Sequence, residues 1–543
     1  MVSEKRSENQ NKEAPGQVAA TTFQSILFED GAKAGDPSVP AFFADLDLDQ
    51  VIDAITRGKE EYDLKPFFYT SLKDIRTIEY RHQIMRDLED HTLFDNIRSF
   101  AQGMQTVRQY LALVDKLSYK YQKERWFLDA VGVYCDVVNC LLRDLSDAEL
   151  KSRGIIALRE YLSAYVRSDR FTSLLTETEK VKADLSTVSY SLIIRGGSFT
   201  ARKYDSEADY SAEVERTFAK FKSRRDPDLA GQGAVNDYRI KFSDPLEMNH
   251  IEAQVLAFVA QLYPQIFSSL DDYSKRNGTF LDETIAAFDR EIQFYVAYLE
   301  YISTVKRAGL KFCYPQITEA DKNVPKGAMQ LYDYECFDLA LAHKLVMENL
   351  PVVCNDFYLA GEERIFVVTG PNQGGKTTFA RTFGQLYYLA SLGCPVPGRE
   401  ARLSVFDEIF THFEKQEKMT SLRGKLEDDL IRIHNILENA TANSIIIMNE
   451  IFTSTTLQDA IFLSRKVLQK IIDLGCLAVC VTFIDELVSM SDSTVSVAST
   501  VEPENSAVRT FKILRKPADG LAYAMSIAEK YRVTYEQLKR RMT

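Results

Sequence analysis

Arg364-Ile365-Phe366-Val367-Val368-Thr369-Gly370-Pro371-Asn372-Gln373-Gly374-Gly375-Lys376-Thr377-Thr378-Phe379-Ala380-Arg381 is the stretch from which the rest of this chain is read. Within it, Gly370 to Thr377 match G-x-x-x-x-G-K-[ST] in full. The apolar run Ile365–Val368 predicts a buried strand. Gly370, Gly374 and Gly375 permit a tight turn that aims backbone N–H groups inward at phosphate oxygens. A helix is expected to start at Lys376, and its N-terminus favours anions. In that arrangement Lys376 reaches the β- and γ-phosphates and the Thr377 hydroxyl ligates Mg2+. A mere Gly-rich turn would not require strand, loop and helix in this order. The pattern implies a nucleoside triphosphate and leaves the task open.

At 543 residues the chain has room for about two to four domains. Hydrophobic content of 45% and charged content of 27% are those of a soluble globular protein. The net charge of −12 excludes a global basic field, so any nucleic-acid contact has to come from a local patch or an enclosed channel. Eight cysteines form no C-x-x-C pair and the six histidines do not cluster beside them, so no zinc site is expected. Met1–Gln17 is polar and charged, and no apolar run reaches the length of a membrane span. No membrane association and a cytoplasmic location are expected.

Upstream of the loop the text is mostly helical. Ile75, Ile78, Ile84, Met85 and Leu88 recur at helical spacing, Phe127–Leu142 forms an apolar helix, and Ile155–Val166 and Thr172–Leu185 read as further helices. Between them and the next helices, Thr187–Tyr204 changes to a β-rich period around Gly196-Gly197, a hairpin signal. Such a hairpin either closes the helical core as a small sheet or presents a tip to a ligand. Lys222, Arg224 and Arg225 form a short basic run, read first as a solvated loop. Glu247–Lys275 and Thr279–Gly309 read as two long antiparallel helices separated by Asn277-Gly278. Downstream, Ile365–Val368, Ser444–Met448 and Leu477–Thr482 alternate with helical stretches, the pattern of a sheet that is parallel at its centre.

Ile445-Ile446-Ile447-Met448-Asn449-Glu450 is an apolar strand ending in a polar pair. A phosphate-loop ATPase places its Mg2+-associated acid and its water-orienting glutamate at such a strand end. Glu450 suits the general-base role. Asn449 stands where an aspartate is expected; it can accept a hydrogen bond from a metal-bound water but brings no charge.

With these residues assembled, the chain resembles the MutS family of DNA mismatch-repair ATPases. Gly370-Pro371-Asn372-Gln373-Gly374-Gly375-Lys376-Thr377-Thr378 is similar to the family's G-P-N-M-[AG]-G-K-[ST]-T. Asp407-Glu408-Ile409-Phe410-Thr411 looks like its D-R-I-F-T segment, and Asn435-Ile436-Leu437 its N-I-L. Pro517-Ala518-Asp519, Tyr523-Ala524 and Ala528 resemble its closing stretch. The likeness covers about 331–535, and more weakly Asp74–Asp90 and the paired helices of 247–309. It implies an α/β P-loop NTPase domain (ABC/MutS-type) preceded by a mostly α-helical core/lever domain with a small β-hairpin. The division expected is a poorly ordered tail over 1–40, the core/lever over 41–328, and the ATPase domain with a C-terminal helical tail over 329–543.

The resemblance also implies ATP and Mg2+ as cofactors, slow Mg2+-dependent hydrolysis, a homodimer through the ATPase domains, and a nucleotide-gated clamp on double-stranded or branched DNA, in mismatch repair or recombination. Catalytic work falls to Glu450 and Lys376, and metal contacts to Thr377 and, through water, Asn449. Ser421 falls in the region of the family's trans-acting signature serine, or is an exposed loop serine. Val352 and Asn355 stand where the family packs against adenine, or form an ordinary strand. Phe483 follows Thr482 where the family has a histidine, and too little chain precedes Asp74 for the usual mismatch-reading domains. These departures keep other readings open: the same clamp acting on RNA, a ribosome or a protein, or a slow or inactive nucleotide binder.

Overall fold

The computed structural model describes residues 23–31, 38–205, 248–319, 329–414, 424–502 and 505–517, with positions 535 and 539. They fall into two compact units. One gathers the described residues up to Asp90, Leu150–Leu158 and those from Arg290 onward; the other comprises His91–Glu149 and the described part of Arg159–Asp289. The expected boundary at 328/329 therefore falls inside the first unit.

The first unit is built on a six-stranded sheet in the order 409–412, 445–449, 477–481, 365–369, 494–502, 505–515. The first five strands are parallel, and the last pairs antiparallel with its neighbour. Ile365–Thr369 is buried at every position, as a central strand covered on both faces must be. The parallel centre matches the expectation from sequence; strands 409–412, 494–502 and 505–515 were not foreseen. Helix Lys376–Ser391 leaves the phosphate-loop strand and is buried almost all round. Phe379 and Phe383 pack in an aromatic cluster with Phe357 and Phe366. Phe357 belongs to a second sheet, in the order 316–318, 400–404, 329–336, 355–360. Gln385 is fully buried and satisfied: its amide donates to Leu46 O and Asp338 Oδ1 and accepts from the Leu339 N–H.

Part of the expected tail is packed. Phe23, Ile26, Leu27 and Phe28 are buried. Ser25 Oγ and the Ile26 N–H donate to the Glu291 carboxylate, and Tyr295 donates to Ile26 O. Four apolar residues in six outweigh the cost of ordering so short a segment once partners from distant helices surround it.

On the second sheet, Asp333 is fully buried beside Gly398, and neither carboxylate oxygen has a hydrogen-bond partner among the described residues. Burial, and then the charge of Asp356, push its carboxyl well above the ordinary range. The folded state thus holds a proton that the unfolded chain releases, so stability is highest in acid and declines as pH rises through the raised native pKa. Asp333→Asn should match the parent's melting temperature near about pH 4 and exceed it increasingly toward about pH 8. Parallel melting curves across that range would refute the assignment.

The second unit is helical: His91–Lys116, Lys120–Asp147, Asp169–Ser186, His250–Leu262 and Pro264–Arg276. Gly103 lets the first two approach closely, since a Cβ there would meet Val137 at 2.3 Å. The expected single helix before Asn277 is two, because Pro264 has no N–H to donate and begins a new helix at its first turn. Tyr190–Arg195 and Ser198–Lys203 form the expected hairpin, with Gly196 and Gly197 both at positive φ. Phe199 meets Phe258, and the Lys203 ammonium lies over the Tyr263 ring, so the hairpin packs on helix 250–262. No helix among the described residues is long and apolar enough to cross a membrane. The basic run at 222–225 lies outside the described residues.

Candidate functional site

The carboxyl ends of strands 365–369, 445–449 and 477–481 lie side by side: Val481 is registered with Val368 on one side and with Asn449 on the other. Ligands of open α/β sheets bind outside this edge. There the chain turns at Gly370, with φ 105°, and enters helix 376–391 from Gly375, with φ 92°. Ser499, on the neighbouring strand, explains why side chains are excluded. A Cβ at Gly370 would stand 2.6 Å from Ser499 Oγ, and one at Gly374 would stand 2.5 Å from it.

Lys376 is buried, and its Nζ donates to Gly370 O at 2.9 Å and to Asn372 Oδ1 at 3.2 Å. Glu450 Oε1 lies 3.8 Å away. Burial holds the ammonium below its ordinary pKa, and the charges of Glu450 and Asp485 oppose that shift. A buried amine with one carboxylate and two neutral acceptors is placed to take a further anion. Glu450 has φ 56° and Phe452 φ 59°. Left-handed backbone at non-glycine residues costs about 1–3 kcal/mol each, and such strain clusters at functional sites. Here the Glu450 N–H is anchored on Val481 O at 2.9 Å, and the turn carries the carboxylate toward Lys376.

Thr377 Oγ1 donates to Asn449 Oδ1 at 2.9 Å. A hydroxyl and an amide oxygen side by side, next to a carboxylate, are hard oxygen donors of the kind that fit Mg2+ with water completing its shell. Pro371 is buried and its carbonyl faces Ser499 Oγ at 3.5 Å, while Asn372 and Gln373 are exposed at the loop's outer turn, Gln373 at φ 60°. Thr378 turns its carbonyl to Thr382 Oγ1.

Asn355 is hydrogen-bonded to strand 505–515. Its amide donates to Phe511 O at 3.2 Å and accepts the Ile513 N–H at 2.8 Å, fastening strand 505–515. That strand holds Phe511 half exposed at φ 57°, its backbone against Gly375. Arg509 Nε donates to Asn372 O at 3.2 Å. Val352 lies half-buried in the connection before strand 355–360. Ser421 and the closing stretch after Pro517 that carried the resemblance lie outside the described residues, Tyr535 and Lys539 apart. Thr456 caps helix 457–474 by accepting the Asp459 N–H, and Phe483 is exposed beyond the buried Thr482. Ser499, Arg509, Phe511 and Asp485 escaped the sequence reading. The period-two run Val495, Val497, Ser499, Val501 signals a strand, but not that it lies against the phosphate loop.

Strand, glycine turn, buried lysine and an acid from a nearby strand end define a phosphate-loop nucleotide-binding domain. Residues 366–540 match the family model for MutS domain V, so the chain carries that domain of the MutS family. Among curated relatives, the "DNA mismatch repair protein MutS" of Geobacillus sp. (strain WCH70) is 30% identical over 182 residues, 33% of this chain and 21% of that protein. The protein of the same name from Clostridium kluyveri is 28% identical over 259 residues, 45% of this chain and 28% of that protein. The matched part thus spans less than a third of either relative.

Proposed function

We propose that this chain binds ATP with Mg2+ at Gly370–Thr378 and hydrolyses it slowly. The observation that carries the reading is the buried Lys376 between the loop's own acceptors and Glu450, beside the Thr377–Asn449 pair. Lys376 exchanges those acceptors for phosphate oxygens. Thr377, and Asn449 through water, hold the metal, which neutralises phosphate charge when bound. Glu450 orients the attacking water and takes its proton. Asn355, by fastening strand 505–515, places Phe511 at the base side, with Val352 nearby in sequence order. Ser421 is the serine offered to a second subunit.

At the level of the whole protein, the reading is a homodimer closed through its ATPase domains, in which residues 41–328 serve as core and lever and 329–543 as motor. ATP favours one arrangement of the levers, and these enclose or release double-stranded or branched DNA. The names of the relatives support mismatch repair as the setting. The test is calorimetry with Mg-ATP, followed by turnover with and without homoduplex, mismatched and branched DNA at two salt concentrations. Saturable heat lost in Lys376→Ala, and turnover that responds to DNA and weakens with salt, are expected. Absence of heat with the intact chain would end the nucleotide reading. Stimulation by RNA and not by DNA would end the DNA reading alone.

A further inference from the structure

Strand 445–449 runs on into a turn whose backbone is left-handed twice, at Glu450 with φ 56° and at Phe452 with φ 59°. Neither residue is a glycine, asparagine or aspartate, the types that take this conformation readily. Of the non-glycine residues at positive φ among those described, Phe452 is the one that is buried. The turn is fixed at both ends. At its start the Glu450 N–H donates to Val481 O at 2.9 Å. At its end Thr456 Oγ1 accepts the Asp459 N–H at 3.3 Å and caps helix 457–474. Between these points Ile451 is 5% exposed and Phe452 0%, and both join the apolar cluster that holds Met448, Ala460, Cys480 and Ile484. Met448 and Cys480 are registered partners on adjacent strands, so this cluster reaches the sheet edge that carries Asn449 and Glu450. Burying a phenyl ring offsets the cost of a left-handed backbone at 452. The backbone at 452 in turn constrains how the chain leaves 450, whose carboxylate lies 3.8 Å from the Lys376 ammonium.

We propose that Phe452 is a positioning residue of this nucleotide site, its buried ring holding the left-handed turn that presents the Glu450 carboxylate. The inference rests on the Mg-ATP reading above, with Glu450 as the group that orients water. Phe452 lies in the core and acts through the backbone, two residues from the carboxylate. Without the ring, a side chain at 452 relaxes toward the right-handed region, and the turn re-forms with the carboxylate displaced. A displacement of about 1 Å is enough to cost a factor of about 10² in turnover. Nucleotide affinity resides in Gly370–Thr378 and stays in place.

The test is single-turnover hydrolysis with calorimetry of Mg-ATP binding on the full chain, well below the melting temperature of each variant. Phe452→Ala keeps a Cβ and loses the ring. It should lower turnover by roughly tenfold to a hundredfold while the Kd for Mg-ATP stays within about threefold. In the Glu450→Gln background the same substitution should lower turnover no further, because its effect passes through that carboxylate. Phe452→Gly takes the left-handed conformation at no steric cost and should recover most of what Phe452→Ala loses. Parental turnover in Phe452→Ala, while Glu450→Gln loses it, overturns the proposal and leaves the Mg-ATP reading standing. So does an equal further fall in the Glu450→Gln background, or a loss in Phe452→Gly as deep as in Phe452→Ala. A parent chain that turns over no Mg-ATP, or a Glu450→Gln variant with the parent's turnover, overturns both readings. If Phe452→Ala does not fold, Phe452→Val decides, since it fills more of the core but is branched at Cβ and strained at positive φ. Lowered turnover at unchanged Kd supports the proposal, and parental turnover overturns it.

Discussion

On the proposed Mg-ATP reading, Glu450→Gln should lower ATP turnover by roughly 10²–10⁴-fold while Mg-ATP binding persists, since a positioned general base contributes that much and an amide cannot take the proton. The glutamine keeps the length of the side chain and the left-handed turn at 450 that directs it. It also removes the carboxylate that lies 3.8 Å from the Lys376 ammonium. The lysine loses a competitor for phosphate, so nucleotide affinity should hold or rise. Single-turnover hydrolysis and calorimetry on the same sample separate the two effects. Turnover within twofold of the parent would show that Glu450 holds Lys376 without acting on water. Loss of binding together with turnover would show that the strained turn at 450 needs its charge to form.

Arg81→Ala should destabilise the first unit by about 3–5 kcal/mol, the scale of deleting a large buried side chain and leaving its acceptors unsatisfied. Arg81 is fully buried and makes no ion pair among the described residues. Its Nε donates to Leu27 O at 3.2 Å and its Nη1 to Leu392 O at 2.9 Å, while the guanidinium lies 5.0 Å from the ring centres of Phe28 and Phe294. One side chain thus joins the N-terminal segment to the residue just past helix 376–391, within the unit that holds the nucleotide loop. Burial pulls its pKa down from the ordinary value. Arg81→Leu restores much of the volume but neither hydrogen bond, so it should recover only part of the loss. The measurement is urea unfolding followed by probes in the first unit. An unchanged midpoint in Arg81→Ala would mean that the buried guanidinium costs as much to desolvate as its contacts return.

How far the sequence could be read follows from the range of the interactions involved. Gly370–Thr377 was legible because its chemistry is local: eight consecutive residues contain the turn, the lysine and the hydroxyl. The partnership of Thr377 with Asn449 was half legible, since an apolar strand ending in a polar pair marks itself, and only its distance from the loop was unknown. Ser499 and Phe511 were invisible, because nothing in their neighbours tells which strand they lie beside. The tail assignment of 1–40 failed over 23–31 for a related reason. Polar Met1–Gln17 set the composition of the window, and the partners of Ile26 and Leu27 lie more than fifty residues away, at Arg81 and Glu291.

From its letters alone this chain declares a phosphate-binding loop, an acid-bearing strand end and a parallel-centred sheet, because those depend on residues adjacent in the chain or on runs of one hydropathy. Which carboxylates face the lysine, which serine forbids a Cβ in the loop, and which arginine joins the first residues to the nucleotide domain were settled only by folding. Each of these is a pairing between groups far apart along the backbone, and pattern along a sequence carries no record of which strand ends or helix ends meet in space.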